Sequence, residues 1–185
     1  MQIAISGSHA TGKTTLLAEL ARQFPFMATI DEAYHLLVDE GHRFSDPPTP
    51  DDYELMFRRA VAELGNGDAT HWLFDRCPAD YLAYAAASRE HDAERLRDMT
   101  ATAAAALRHV NLIVYVPIEA PDRIDDAMIT LPRLRRRVDG ILREMLVEDG
   151  WGFGAPVLEV RGTLAERAER VRTHLEAIGI RDVVG

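Results

Sequence analysis

Apolar and polar residues fall into short alternating blocks along this chain. Residues 2–6 carry Ile3 and Ile5 in a run of strand length, and a glycine-rich turn separates them from a helical stretch, 13–23. A second apolar run, 26–30, closes on Asp31-Glu32, and 33–40 reads as a helix. Residues 41–50 hold three prolines and a glycine, which predicts a loop. Asp51-Asp52 opens a helix that runs to Leu64 and stops at Gly65-Asn66-Gly67. A third strand, 71–74, ends at Asp75-Arg76. Pro78 suits the first turn of a helix over 79–87, and another helix spans 92–108. The strand signal is clearest at 111–116 (NLIVYV). Pro117 and Pro121 bracket the loop after it, and an arginine-rich helix follows at 134–147. The turn region 150–156 leads to a fifth strand, 157–160, and a closing helix, 164–178. Five short apolar strands alternating with helices predict an α/β fold with a mainly parallel sheet. With no internal repeat and no linker, the expectation is a single domain over 1–185.

Composition narrows the partners. A chain of 185 residues can bury a core without disulfide or metal. The net charge of −9 argues against general nucleic-acid binding, which needs a broad basic surface. No apolar run reaches transmembrane length and the N-terminus lacks a signal-peptide pattern, so no membrane partner is expected. Cys77 is the single cysteine, which leaves no intramolecular disulfide and suggests a reducing, cytoplasmic setting. The chain holds twenty arginines and one lysine, Lys13. The position of that lysine is therefore informative.

Residues 7–14, GSHATGKT, match G-x-x-x-x-G-K-[ST] at every fixed position, with a strand before and a helix after. Gly7 and Gly12 let the backbone wrap with its N–H groups inward, so that His9, Ala10 and Thr11 contribute backbone donors to a phosphate chain. The following helix N-terminus adds partial positive charge. Lys13 would reach the β- and γ-phosphates, the Thr14 hydroxyl would bind Mg²⁺, and Thr15 is placed for the α-phosphate.

In open α/β sheets ligands bind beyond the carboxyl ends of the strands. Those ends carry Glu32, Asp75 and Arg76. A carboxylate there can take a proton from an attacking hydroxyl or hold Mg²⁺, and an arginine can stabilise a transferring phosphoryl group. Glu32 is the first candidate for the base, with Asp75 the Mg²⁺-linked acid and alternative base. Arg133, Arg136 and Arg137 share one face of the arginine-rich helix, preceded by Asp122, Asp125 and Asp126. Such a face attracts polyphosphate. The turn at Gly162-Thr163 can flank a purine, while Thr163 and Glu166 also spell a capping box.

These segments together resemble the P-loop nucleoside and nucleotide kinases, most closely the NadR-like kinase group, whose members often carry the label AAA-type ATPase. The resemblance rests on GSHATGKTTL, IDEAYHLL, LFDRCPADYLAYA, LPRLRRRVDGILREML and VLEVRGTLAERAERV, and covers nearly the whole chain. LFDRCPADYLAYA is its most specific part. It implies a P-loop NTPase three-layer sandwich with strand order 2-3-1-4-5 and an arginine-rich helical lid at about 122–147. It implies ATP and Mg²⁺ as cofactors and phosphoryl transfer, with Lys13, Thr14, Asp75, Arg76 and the lid arginines as functional positions. Arg133 would serve both nucleotide binding and catalysis. The stretch before the lid, DDAMITLP, lacks an arginine that relatives carry just after the acidic pair.

The expected activity is transfer of the γ-phosphate of ATP to a nucleoside, nucleotide or related hydroxyl acceptor, by a monomer or homodimer. Tyr34, Tyr53, Phe57, Arg58 and Tyr84 are candidates to line the acceptor site. Residues 41–64 follow no family pattern, so acceptor identity stays open. Two alternatives stand beside this reading: an NTP-binding or hydrolysing regulatory switch module, and a P-loop phosphotransferase acting on a non-nucleotide acceptor.

Overall fold

A computed structural model describes residues 1–65, 71–88, 92–122 and 131–180. Five strands and seven α-helices are found among them. The strands are β1 (Gln2–Ser6), β2 (Ala28–Ile30), β3 (Trp72–Asp75), β4 (Leu112–Tyr115) and β5 (Val157–Glu159). The helices are α1 (Lys13–Gln23), α2 (Ala33–Asp39), α3 (Pro50–Gly65), α4 (Pro78–Ala87), α5 (Ala93–Leu107), α6 (Pro132–Leu142) and α7 (Leu164–Ala177). The expected start of the lid at 123–130, with Asp125 and Asp126, lies outside the described residues, as do Asn66 and Gly67.

The sheet is wholly parallel in the order β2-β3-β1-β4-β5, as expected for a P-loop kinase fold. Its central strands are apolar on both faces because helices cover both. Side chains alternate across each strand. Ile3, Ile5, Leu112 and Val114 turn to one side, where Leu16 and Leu20 of α1 and Val171 and Leu175 of α7 complete a core. Ala4, Ile113 and Tyr115 turn to the other, against α3 to α6. Fully buried leucines such as Leu16 and Leu20 each contribute about 2 kcal/mol through apolar area removed from water.

The arginine-rich helix departs from the single helix expected over 134–147. Pro132 starts it two residues earlier, as a proline in the first turn can, and Arg143–Val147 continues it as a π-helical turn. The wider turn lets the adjacent Met145 and Leu146 both enter the core. Val138 and Leu142 pack there too, and Tyr115 Oη donates to Asp139, so the C-terminal half of α6 is fixed to β4. Among the described residues no helix is long and apolar enough to cross a membrane.

Candidate active site

The loop between β1 and α1 lies at the C-terminal ends of the central strands. Both of its end glycines are required. Gly7 has φ +152 and passes so close to β4 that a Cβ would meet Val116 O at 2.4 Å, while Gly12 sits at φ +86. Ala10 also takes a left-handed conformation, with φ 52. The Lys13 ammonium is buried and donates to Ser8 O at 2.6 Å inside the loop. Burial, and then repulsion from Arg76, lower its pKa to about 7.

Beside it, Thr14 Oγ1 donates to Asp75 Oδ2 at 2.6 Å. The second oxygen, Asp75 Oδ1, is buried without a hydrogen-bond partner, and burial pushes this carboxyl up from its usual range. A hydroxyl and an orphaned carboxylate oxygen next to a phosphate loop are the hard oxygen donors that Mg²⁺ takes, alongside phosphate oxygens and water. Among the described residues, no group of three or more His, Cys, Asp or Glu is placed to hold a metal ion.

Arg76 follows β3 in a left-handed conformation, φ 75, which turns its side chain back under the loop. Its Nη1 donates to Gly7 O at 2.9 Å and its Nε lies 2.8 Å from Glu32 Oε1 as an ion pair. Asp80 is fully buried and accepts from the backbone N–H of Gly7 and of Cys77, both at 2.9 Å. It thus caps α4 and anchors the start of the loop in one contact set. β2, β3 and the loop therefore bring Lys13, Thr14, Glu32, Asp75 and Arg76 together.

Two clefts flank this centre. One, of about 210 Å³, opens beside Thr11, Gly12 and Thr15 and is walled by Gly162, Thr163 and Arg167. Gly162 N–H donates to Glu119 Oε1 at 2.9 Å, and Arg167 Nη2 donates to the same oxygen at 2.6 Å. Thr163 caps α7 with Glu166, as its spacing predicts. The other cleft, of about 190 Å³, is lined by Glu32, Arg76, His9 and the rings of Tyr34, Tyr53 and Tyr84. Tyr53 and Tyr84 stack at 5.3 Å between centroids, and Tyr84 Oη accepts from His9 N–H at 2.9 Å. Phe57 is instead part of the core, and Arg58 lies on the surface paired with Glu54.

The arginines of α6 divide in an order the sequence did not single out. Arg133, Arg136 and Arg137 are exposed, and Arg137 Nη1 donates to Ala87 O at the end of α4. Arg135 is the buried one. Its Nε donates to His9 O and its Nη2 to Ala10 O, both at 2.9 Å, and it pairs with Asp122. Arg167 joins it from α7, with Nη1 donating to Thr11 O at 2.8 Å. A signal for both lay in the helical spacing. Arg135 occupies the apolar stripe of Val138 and Leu142, and Arg167 that of Val171 and Leu175.

The sheet order, the loop and the two clefts define a P-loop protein with the nucleoside kinase-like fold. A family model described as AAA domain matches residues 2–167, and the chain belongs to that family. Among solved structures, deoxyadenosine kinase from M. mycoides with bound dATP is similar at 11% identity and TM-score 0.64, covering 95% of this chain and 100% of that one. NadR protein in complex with NR is similar at 19% identity and TM-score 0.68, covering 97% of this chain and 51% of NadR. This chain thus spans about half the length of that protein. A further NadR structure, with NAD and AMP-PNP, gives a TM-score of 0.67 at 19% identity. No curated relative matches the sequence.

Proposed function

We propose that this protein is an ATP-dependent small-molecule kinase that moves the γ-phosphate to a hydroxyl of a nucleoside, nucleotide or related acceptor. One observation carries the reading: the aromatic cleft opens onto Glu32 and Arg76 on one side of the phosphate loop, while the other cleft lies beside Thr15 and Gly162. An acceptor and a nucleotide base can then be held apart with the phosphate chain between them, which is most of what phosphoryl transfer asks of a protein.

Glu32 lines the acceptor cleft and Asp75 does not, which supports Glu32 as the base. The acceptor oxygen forms its bond to the γ-phosphorus as the bond from that phosphorus to the bridging oxygen breaks. The hydroxyl proton passes to Glu32 and the bond electrons leave with ADP. Lys13 and Arg76 stabilise charge on the phosphoryl oxygens. Thr14 and Asp75 would hold Mg²⁺. Bound there, the ion would neutralise charge on the β- and γ-phosphates. Arg133, Arg136 and Arg137, exposed on α6 around the buried Arg135, would supply the arginines of a lid at about 122–147 in a single domain, reaching the phosphates by their long side chains. The loop N–H groups from His9 to Thr15 and the turn at Gly162-Thr163 would take the phosphates and the base. The net charge of −9 supports small-molecule partners over nucleic acid, and a monomer or homodimer in the cytoplasm fits them.

The test is ATP consumption with Mg²⁺ over a panel of nucleosides, nucleoside monophosphates and nicotinamide riboside, against a blank without acceptor. An acceptor that raises turnover well above the blank is the expected result. A flat panel from a protein that binds ATP would overturn the acceptor class and leave a switch module or an acceptor outside nucleotide metabolism.

A further inference from the structure

Arginines from the turn after β3, from α6 and from α7 grip the outer, carbonyl side of the phosphate loop. Arg76 holds Gly7 O, Arg135 holds His9 O and Ala10 O, and Arg167 holds Thr11 O, with separations of 2.8 to 2.9 Å. In a planar trans peptide the N–H points away from the C=O. Four carbonyls held outward therefore aim the N–H groups of Ser8, Ala10, Thr11 and Gly12 at the inner side, where phosphate oxygens would lie.

Arg135 does this most completely. It is 3% exposed, its planar fork spans two successive carbonyls, and Asp122 fixes its outer edge. The two carbonyls belong to the residues at and before Ala10, whose φ of 52 is costly for a residue with a side chain. Left alone, that peptide would gain by rotating, and its N–H would swing away from the phosphate position.

We propose that Arg135 and Arg167 are positioning residues that hold the loop as a ready-made anion nest, acting on its carbonyls and on any polyphosphate chain whatever base it carries. The proposal rests on the reading above in one respect, that the loop takes a polyphosphate.

The experiment is calorimetric binding of inorganic tripolyphosphate, ADP and ATP to the full chain, as wild type and as Arg135→Gln, Arg135→Lys and Arg167→Gln, with circular dichroism to verify folding. Each variant is expected to weaken all three ligands alike, by about tenfold for the loss of charge-assisted hydrogen bonds. Arg135→Lys keeps the charge but cannot span two carbonyls, so it too weakens binding. Adding Ala10→Gly to Arg135→Lys restores part of the affinity, because glycine takes a positive φ without strain. If Arg135→Gln does not fold, the lysine variant and its glycine double variant carry the test. Three results overturn the proposal: a loss confined to ATP and tripolyphosphate with ADP spared, which would put the guanidinium on the third phosphate; wild-type affinity in Arg135→Lys; or no recovery with Ala10→Gly. A wild-type protein that binds none of the three ligands removes the nucleotide reading itself.

Discussion

The Thr14 hydroxyl donates to Asp75 Oδ2 at 2.6 Å, tying the first turn of α1 to the end of β3. The bond leaves Asp75 Oδ1 buried and unpartnered. An arrangement that spends one carboxylate oxygen and strands the other is unfavourable unless a cation or water completes it.

Asp75→Asn keeps the size and the Thr14 contact but removes the charge. Mg²⁺ should then no longer strengthen ADP binding, and turnover should fall on the order of 100-fold or more, as for loss of a charge-stabilising group. ADP binding without metal should be unchanged. Titration of ADP with and without Mg²⁺ checks this, and a preserved metal response would rule out Asp75 as the metal-linked acid.

Lys13 titrates near neutrality in the free protein because it is buried and faces Arg76. A polyphosphate would favour the cation and raise its pKa. Above pH 7, nucleotide binding should therefore take up a proton, and affinity should fall as pH rises. For folding the sign is opposite. The unfolded lysine titrates near roughly 10.4, so between about 7 and that value the unfolded chain binds more protons, and the Lys13 contribution to stability rises with pH. Calorimetry at pH 8 in two buffers of different ionisation enthalpy reads the uptake. Equal heats would mean the free ammonium is already charged.

Tyr34 is 37% exposed, lines the aromatic cleft proposed for the acceptor and stacks on Phe44 at 4.7 Å. Tyr34→Ala should raise the acceptor KM about tenfold, the scale of one aromatic contact, with the ATP KM and Tm little changed. Steady-state kinetics with each substrate varied in turn would detect a shift in the wrong KM.

Thr163 spends its hydroxyl and its N–H on capping α7 with Glu166, at 2.8 and 2.7 Å to Oε2. Thr163→Ala should cost about 1 kcal/mol of stability, the usual worth of a helix cap. Nucleotide affinity should stay near wild type. Urea unfolding measures the first, and a large fall in ADP affinity without loss of stability would assign the hydroxyl to the ligand.

The strands were legible because a sheet covered on both faces needs runs such as LIVY, their order only through the resemblance to P-loop kinases, and the phosphate loop because its backbone course demands Gly7 and Gly12. Glu32, Asp75 and Arg76 were legible from the rule that sites gather at strand ends. Arg135 and Arg167 were not. The loop carbonyls they hold lie more than a hundred residues away in sequence. Within RLRRR the buried arginine differs from its exposed neighbours only by phase on the helix. The face that attracts notice as a basic cluster is the one that stays in water. Tyr53 and Tyr84 illustrate the same limit, since aromatic residues on α3 and α4 read equally well as core until the second cleft is seen beside their stacked rings.

The scarcity of lysine decides how this protein can be watched. Its twenty arginines leave a single ε-amine, and that amine lies in the phosphate loop. Lysine carrying an isotopic label would give one side-chain resonance for the whole molecule. The arrival of a nucleotide, and the proton that comes with it, would be followed as the movement of a single peak.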